Sequence, residues 1–144
     1  MKRSILIALA AVAVLLPTSA ASAGEGGRPI TVQMTGAAER PGPGDPDGTG
    51  TATFRINPGQ GRICYTLTVA DIEPATAAHI HRAPPTDAGP VVVPLEAPAD
   101  GSSEGCAAVD RALAQEIVRN PSAFYVNVHN APFRPGAVRG QLGR

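Results

Sequence analysis

The sequence is poor in aromatic residues, with no Trp, two Tyr and three Phe among 144 residues. Large aromatic side chains are the usual anchors of protein–protein hot spots and the usual platforms for stacking on sugars and bases. Their scarcity argues against a lectin or an adhesin. It also means that the core must be built mainly from Val, Leu, Ile and Ala.

An excess of charge of either sign is missing as well. The chain has 12 basic and 12 acidic residues, and loss of Lys2 and Arg3 with a cleaved leader would leave a net charge of −2. This balance gives no reason to expect nucleic acid or an anionic membrane surface as a partner.

Only one long apolar run is present, and it lies at the N-terminus. It extends from Ile5 to Leu16, is preceded by Lys2 and Arg3, and is followed by Ala21-Ser22-Ala23. Basic residues, a short apolar run and a small-residue cleavage site are the three parts of a secretory signal peptide. The run is shorter than the roughly 20 residues that span a bilayer. We therefore predict a signal peptide at 1–23, a short leader at 24–29, a domain at 30–144, and a secreted mature chain without a transmembrane segment.

Cysteine is almost absent, and the two that occur are Cys64 and Cys106. An even number of cysteines in an exported chain favours a disulfide. Two free thiols or two metal ligands fit less well, because the pair lacks C-x-x-C spacing. We interpret the pair as a structural disulfide.

Short segments with alternating apolar and polar residues recur between Gly- and Pro-rich turns. About eight such strands predict an all-β fold, an antiparallel β-sandwich or flattened barrel. The predicted strands cover residues 30–34, 50–56, 62–69, 75–82, 91–95, 106–109, 124–129 and 137–142. One short helix is expected from Arg111 to about Arg119, with Asp110 as its N-cap and Asn120-Pro121 at its end.

A G-x-S-x-G match, Gly101-Ser102-Ser103-Glu104-Gly105, occurs before the strand that begins at Cys106. In serine hydrolases this motif has meaning only on a sharp turn from a strand into a helix. Here it is expected in a polar loop that precedes a strand. The match therefore gives little support to a hydrolase.

The three histidines of the protein lie in two predicted strands. His79 and His81 alternate with Ala78 and Ile80, so they share the face opposite the core. In the later strand, His129 lies on the same side as Tyr125 and Asn127. Two interpretations remain open: the three imidazoles form a metal site, or they are solvent-facing or hydrogen-bonded structural histidines.

Several blocks of the sequence resemble the CHRD (chordin-type) domain family. The blocks, in the order and spacing typical of that family, are 36–41, 48–52, 76–81, 89–95, 124–129 and 136–142. The chain resembles a bacterial, secreted, single-domain form. The resemblance implies an extracytoplasmic immunoglobulin-like β-sandwich of largely undefined role. In animals the domain occurs in chordin, an extracellular antagonist of growth factors, but nothing in this chain supports carrying that partner over.

A weaker resemblance is to the copper-binding strands of Cu,Zn superoxide dismutases, which are also β-sandwiches. Carried over by position, His79, His81 and His129 would be copper ligands, and Arg139 would stand near the active-site arginine. Tyr125 and Asn127 would join Arg139 around the ligands. With only three histidines, the bridging ligand and the zinc-site histidines of that family are absent.

Three neutral imidazoles with an open position suit one copper or zinc ion. The sequence thus favours a non-enzymatic extracellular or cell-envelope binding domain whose partner it does not name, with a three-histidine metal site as an optional feature. The alternative is an exported copper- or zinc-binding protein with superoxide dismutase-like redox activity.

Overall fold

The protein folds around one antiparallel β-sheet of eight strands. The computed structural model describes residues 26–143, so the signal peptide predicted at 1–23 lies outside the described residues. The strands are β1 (Arg28–Thr35), β2 (Thr49–Asn57), β3 (Arg62–Ala70), β4 (Ala75–Arg82), β5 (Val91–Leu95), β6 (Ser102–Ala108), β7 (Phe124–Asn130) and β8 (Val138–Gln141). One α-helix, α1 (Arg111–Arg119), lies between β6 and β7, and short 3-10 turns occupy Gly36–Ala38 and Pro121–Ala123. Within this part of the chain, no helix has the length and apolarity needed to cross a membrane.

The sheet bends over on itself, which gives the sandwich its two layers. The strand order is β5-β4-β7-β8-β1-β2-β3-β6, and β8 meets β1 through a single pair, Thr35 with Arg139. The two ends of the sheet approach each other. There the Glu96 amide donates to the Tyr65 hydroxyl at 2.8 Å, and the Ser103 hydroxyl donates to the Glu96 carbonyl at 2.8 Å. The predicted all-β sandwich or flattened barrel is confirmed.

The alternating apolar residues fill the space between the two layers. Every strand except β6 contributes fully buried core side chains, and so does α1. They include Met34, Phe54, Ile63, Leu67, Ile80, Val93, Ile117, Val126 and Val138. Because side chains alternate along a strand, each core residue fixes its neighbour on the opposite face. Burial of Ile80 therefore places His79 and His81 on the outer face of β4, and burial of Val126 places His129 on the outer face of β7.

Most predicted elements match the structure, and the largest error is at β6. Residues 102–105 belong to that strand, where Thr66 pairs with Glu104, and are not a loop that ends at Gly105. Residues 102–105 lack the apolar alternation that predicts a strand, because β6 lies at the end of the sheet and its side chains are at most half-buried. The Gly101–Gly105 segment is thus not a strand-to-helix turn.

Smaller differences occur at element ends. β1 begins at Arg28, inside the predicted leader, because residues 28 and 29 still pair with β2. The last strand is shorter than expected, Val138–Gln141. Asp110 occupies the N-cap position of α1, but its side chain makes no capping hydrogen bond.

Cys64 and Cys106 form the predicted disulfide, which links β3 to β6. The two residues are direct partners in the antiparallel register, with their Cα atoms 3.9 Å apart. The bond joins positions 42 residues apart in sequence. It therefore fastens the terminal strand β6 to the sheet.

Candidate metal centre

The histidines are brought together by the register of β4 and β7. Ala77 pairs with His129, and His79 pairs with Asn127. His79 therefore lies diagonally across from His129, while His81 follows two residues later on the same face of β4. Diagonal neighbours on an antiparallel pair are within reach of long side chains.

The three imidazoles converge on one point. One ligand nitrogen from each of His79, His81 and His129 lies within 4.8 Å of the other two. His79 Nδ1 is 3.1 Å from His129 Nε2, and the ring centroids are 5.0 to 6.1 Å apart. Metal-bound imidazole nitrogens lie about 2.0–2.1 Å from zinc, so small side-chain movements would bring all three nitrogens within ligand distance of a common point.

Backbone carbonyls fix the tautomers of two rings. His81 Nδ1 lies 2.8 Å from the Gly89 carbonyl, and His129 Nδ1 lies 2.8 Å from the Arg134 carbonyl. A carbonyl only accepts, so each Nδ1 carries the proton and each neutral ring keeps its Nε2 lone pair for the cluster. Histidines that bind metals are held in this way, with the other ring nitrogen donating to a carbonyl.

Burial favours the neutral form of two of the three rings, those of His79 and His81. His81 is 7% exposed, and its buried Nε2 has no hydrogen-bond partner. Burial, followed by repulsion from His129 and His81, lowers the pKa of His79 to about 4. Burial is also the main cause that lowers the pKa of His81. Metal ligation requires the neutral form, so His79 and His81 are ready to bind at pH 7. The interpretation as three solvent-facing histidines fails for His81.

Comparison with known proteins identifies the family. The CHRD domain model matches residues 30–142, well over half of the chain. The chain belongs to the CHRD domain family. No curated protein and no solved structure gives a significant match.

The other predicted site residues of the CHRD domain extend from His81 across the sheet. The Tyr125 ring stacks on the His81 ring, with centroids 4.7 Å apart and planes 5° apart. The Arg139 guanidinium carbon lies 3.5 Å from the Tyr125 ring centroid. β7 lies between β4 and β8, so the tyrosine separates the arginine from the histidine. Arg139 therefore lies beyond Tyr125 and does not contact the imidazoles.

The outer face of β4, β7 and β8 is covered, which its alternation pattern did not indicate. Asn127 and Arg139 are each 1% exposed. The segment that follows β4 covers His81 through Gly89, and the β7–β8 turn covers Asn127 and His129 through the carbonyls of Pro135 and Arg134. The CHRD domain therefore has a second, polar interior beside its apolar core.

Glu39 is a buried member of this polar interior that the sequence did not reveal. It is 2% exposed, and its Oε1 has no hydrogen-bond partner. Burial raises the pKa of Glu39 to about 7, against smaller lowering effects from Asn127, Arg40 and Arg139. The 88-residue gap between Glu39 and Asn127 explains why no spacing signal in the sequence could pair them.

Glu39→Gln should change how stability depends on pH. A carboxyl whose folded pKa is raised contributes stability that is present below its unfolded pKa, near 4.5, and is lost as pH rises through about 7. Between pH 4.5 and pH 7, ionisation of Glu39 should lower the free energy of unfolding of the metal-free wild type by about 2–3 kcal/mol. Glu39→Gln should not show this loss. The lowered pKa of His79 acts in the opposite direction, since its contribution is lost as pH falls from 6.5 to about 4.

Urea unfolding in the presence of a chelator at pH 5 and pH 8 measures this difference. Glu104→Gln, at an exposed position of β6, is the matched control and should keep the wild-type pH dependence. Identical pH dependence in Glu39→Gln and the wild type would show that Glu39 is not protonated by burial.

Proposed function

We propose that this CHRD-domain protein is a metal-binding protein that holds one copper or zinc ion between His79, His81 and His129. The observation that carries the proposal is the convergence of three ligand nitrogens within 4.8 Å. Support comes from the two Nδ1–carbonyl hydrogen bonds, which turn the Nε2 lone pairs of His81 and His129 toward the cluster.

In the metal-free protein the His79 Nδ1–H donates to His129 Nε2, because that Nε2 carries no proton. A shift of the His79 proton to its own Nε2 would leave three lone pairs facing one point. Three imidazoles suit Cu or Zn better than Mg or Ca, which prefer oxygen ligands. Within residues 26–143 the cluster contains these three ligands, so a fourth position would remain for water or another small ligand.

Binding without turnover fits the surroundings better than dismutase-like redox activity. An arginine that guides an anion to a metal must keep its donors free. Arg139 is 1% exposed and donates to the carbonyls of Asp87 and Pro84, both at 2.9 Å. A role in binding, storing or delivering a metal ion outside the cytoplasm agrees with this arrangement.

We also propose that the protein is exported. Support comes from the Lys2–Ala23 composition and from the Cys64–Cys106 disulfide, since disulfides persist in oxidising compartments. Expression in a secretion-competent bacterial host should release protein whose N-terminal sequence begins at Gly24. Retention in the cytoplasm with Met1 intact would contradict export.

Metal analysis of protein purified without a histidine tag tests the metal proposal. Titration of the chelator-treated protein with Cu(I), Cu(II) and Zn(II) should show one saturable site per chain. Affinity should fall in acid as His79 becomes protonated near pH 4. A chain that binds none of these ions at stoichiometric level would overturn the proposal. A superoxide-consumption assay on the metal-loaded protein then distinguishes binding alone from redox turnover. We expect no activity above that of the free ion.

A further inference from the structure

The segment between β4 and β5, residues 83–90, contacts His81 of the histidine cluster and has little structure of its own. It contains three prolines, at positions 84, 85 and 90, and one turn in which the Asp87 amide donates to the Pro84 carbonyl at 3.2 Å. Prolines lack the amide that regular structure requires. Apart from that turn, the 83–90 loop is held by hydrogen bonds to residues of the neighbouring strands.

Arg139 supplies two of these contacts. Its Nη1 donates to the Asp87 carbonyl and its Nη2 to the Pro84 carbonyl, each at 2.9 Å. Nη2 also lies 3.3 Å from the Gln141 Oε1, and Gln141 Nε2 donates to the Ala83 carbonyl at 2.7 Å. A guanidinium presents several donors in a fixed planar fork, so one side chain fastens the loop at two carbonyls.

The same loop reaches the cluster through Gly89. The Gly89 carbonyl accepts from His81 Nδ1 at 2.8 Å, and the Gly89 amide donates to the Tyr125 hydroxyl at 3.3 Å. A Cβ at position 89 would collide with the Arg82 carbonyl, so glycine allows the close approach. Arg139 and His81 are therefore connected twice, through the loop and through the Tyr125 ring that lies between them.

We propose that Arg139 is the positioning residue of the histidine cluster: it holds the 83–90 loop so that Gly89 keeps His81 in the Nδ1–H tautomer and leaves Nε2 free for a metal ion. The effect on metal affinity rests on the proposed function. The effect on the tautomer does not, because it belongs to the metal-free protein.

Nitrogen-15 NMR of the histidine rings, recorded on chelator-treated protein, reads the tautomer directly. The wild type should show His81 as a single Nδ1–H form with a slowly exchanging proton. Arg139→Gln should convert His81 to a mixture of tautomers and weaken metal affinity about 10–100-fold, the usual cost of losing a support of a metal ligand. Arg139→Lys should resemble Arg139→Gln more than the wild type, since an ammonium keeps the charge but neither forks nor stacks in the same way.

Leu67→Ala is the control for a general loss of stability. Leu67 is fully buried on β3, in the other layer of the sandwich, so a cavity there should lower stability but leave the tautomer and the affinity unchanged. A folded Arg139→Gln with the wild-type tautomer and affinity would overturn the proposal. If that variant does not fold, Arg139→Lys decides, and an unchanged His81 signal would overturn it equally.

The two proposals fail separately. If the wild type binds no metal while Arg139→Gln alters the His81 tautomer, the proposed function is wrong and the positioning role stands. If the wild type binds metal and Arg139→Gln changes neither quantity, the positioning role is wrong and the proposed function stands.

Discussion

Replacing His81 with Gln is expected to abolish stoichiometric metal binding. The variant removes one of three imidazoles and leaves an amide that cannot reproduce the lone pair of the buried Nε2. Loss of a direct ligand should cost more than loss of an outer support, so affinity should fall by more than about 100-fold. His79→Gln and His129→Gln should give the same result, since the three nitrogens share one point.

The same variants should lose the stabilisation that the wild type gains from its metal. An ion at about 100 times its dissociation constant raises the free energy of unfolding by about 2.7 kcal/mol. Thermal unfolding with and without metal measures this gain, and it should vanish in each histidine variant. Arg82→Gln is the matched control, because Arg82 follows His81 on β4 but is exposed and pairs with Glu116 at 2.7 Å.

The control should bind metal like the wild type. If any single histidine variant keeps full affinity while folded, that histidine is not a ligand. Retained affinity in all three variants would place the binding site elsewhere in the chain.

Removing the disulfide should produce the largest loss of stability. Replacing Cys64 and Cys106 together with Ser frees a loop whose ends are 42 residues apart. The loop-entropy model, one of several accounts of disulfide stabilisation, gives a loss of about 4 kcal/mol. For a domain of this size the midpoint of thermal unfolding should fall by about 10 °C or more.

Denaturant unfolding of the double variant, and of the wild type with and without reductant, checks this value. The reductant should destabilise the wild type and leave the variant unchanged. Metal affinity should survive, because the disulfide joins β3 and β6 while the histidines lie on β4 and β7. A double variant as stable as the wild type would show that β6 is held by its backbone pairing alone.

The sequence by itself determined most of the strands and the face on which each histidine lies. Alternation along β4 is strong evidence, because burial of Ala78 and Ile80 leaves His79 and His81 only the opposite face. It also predicted the disulfide, since two cysteines leave only one pairing. Residues 102–105 of β6 were predicted as a loop for the complementary reason, because a terminal strand with few buried side chains has no apolar alternation to detect.

Only the tertiary structure decided what covers the outer face and which groups support the histidines. Gly89 and Arg134 reach the cluster through their backbone carbonyls, and Glu39 reaches Asn127 from a distant loop. A backbone carbonyl exists at every residue, so no residue type marks the one that will fix an imidazole tautomer. The convergence of His129 with His79 and His81 depends on the register between β4 and β7. That register is set by packing of the whole core, which includes Ile80 and Val126 beside the site.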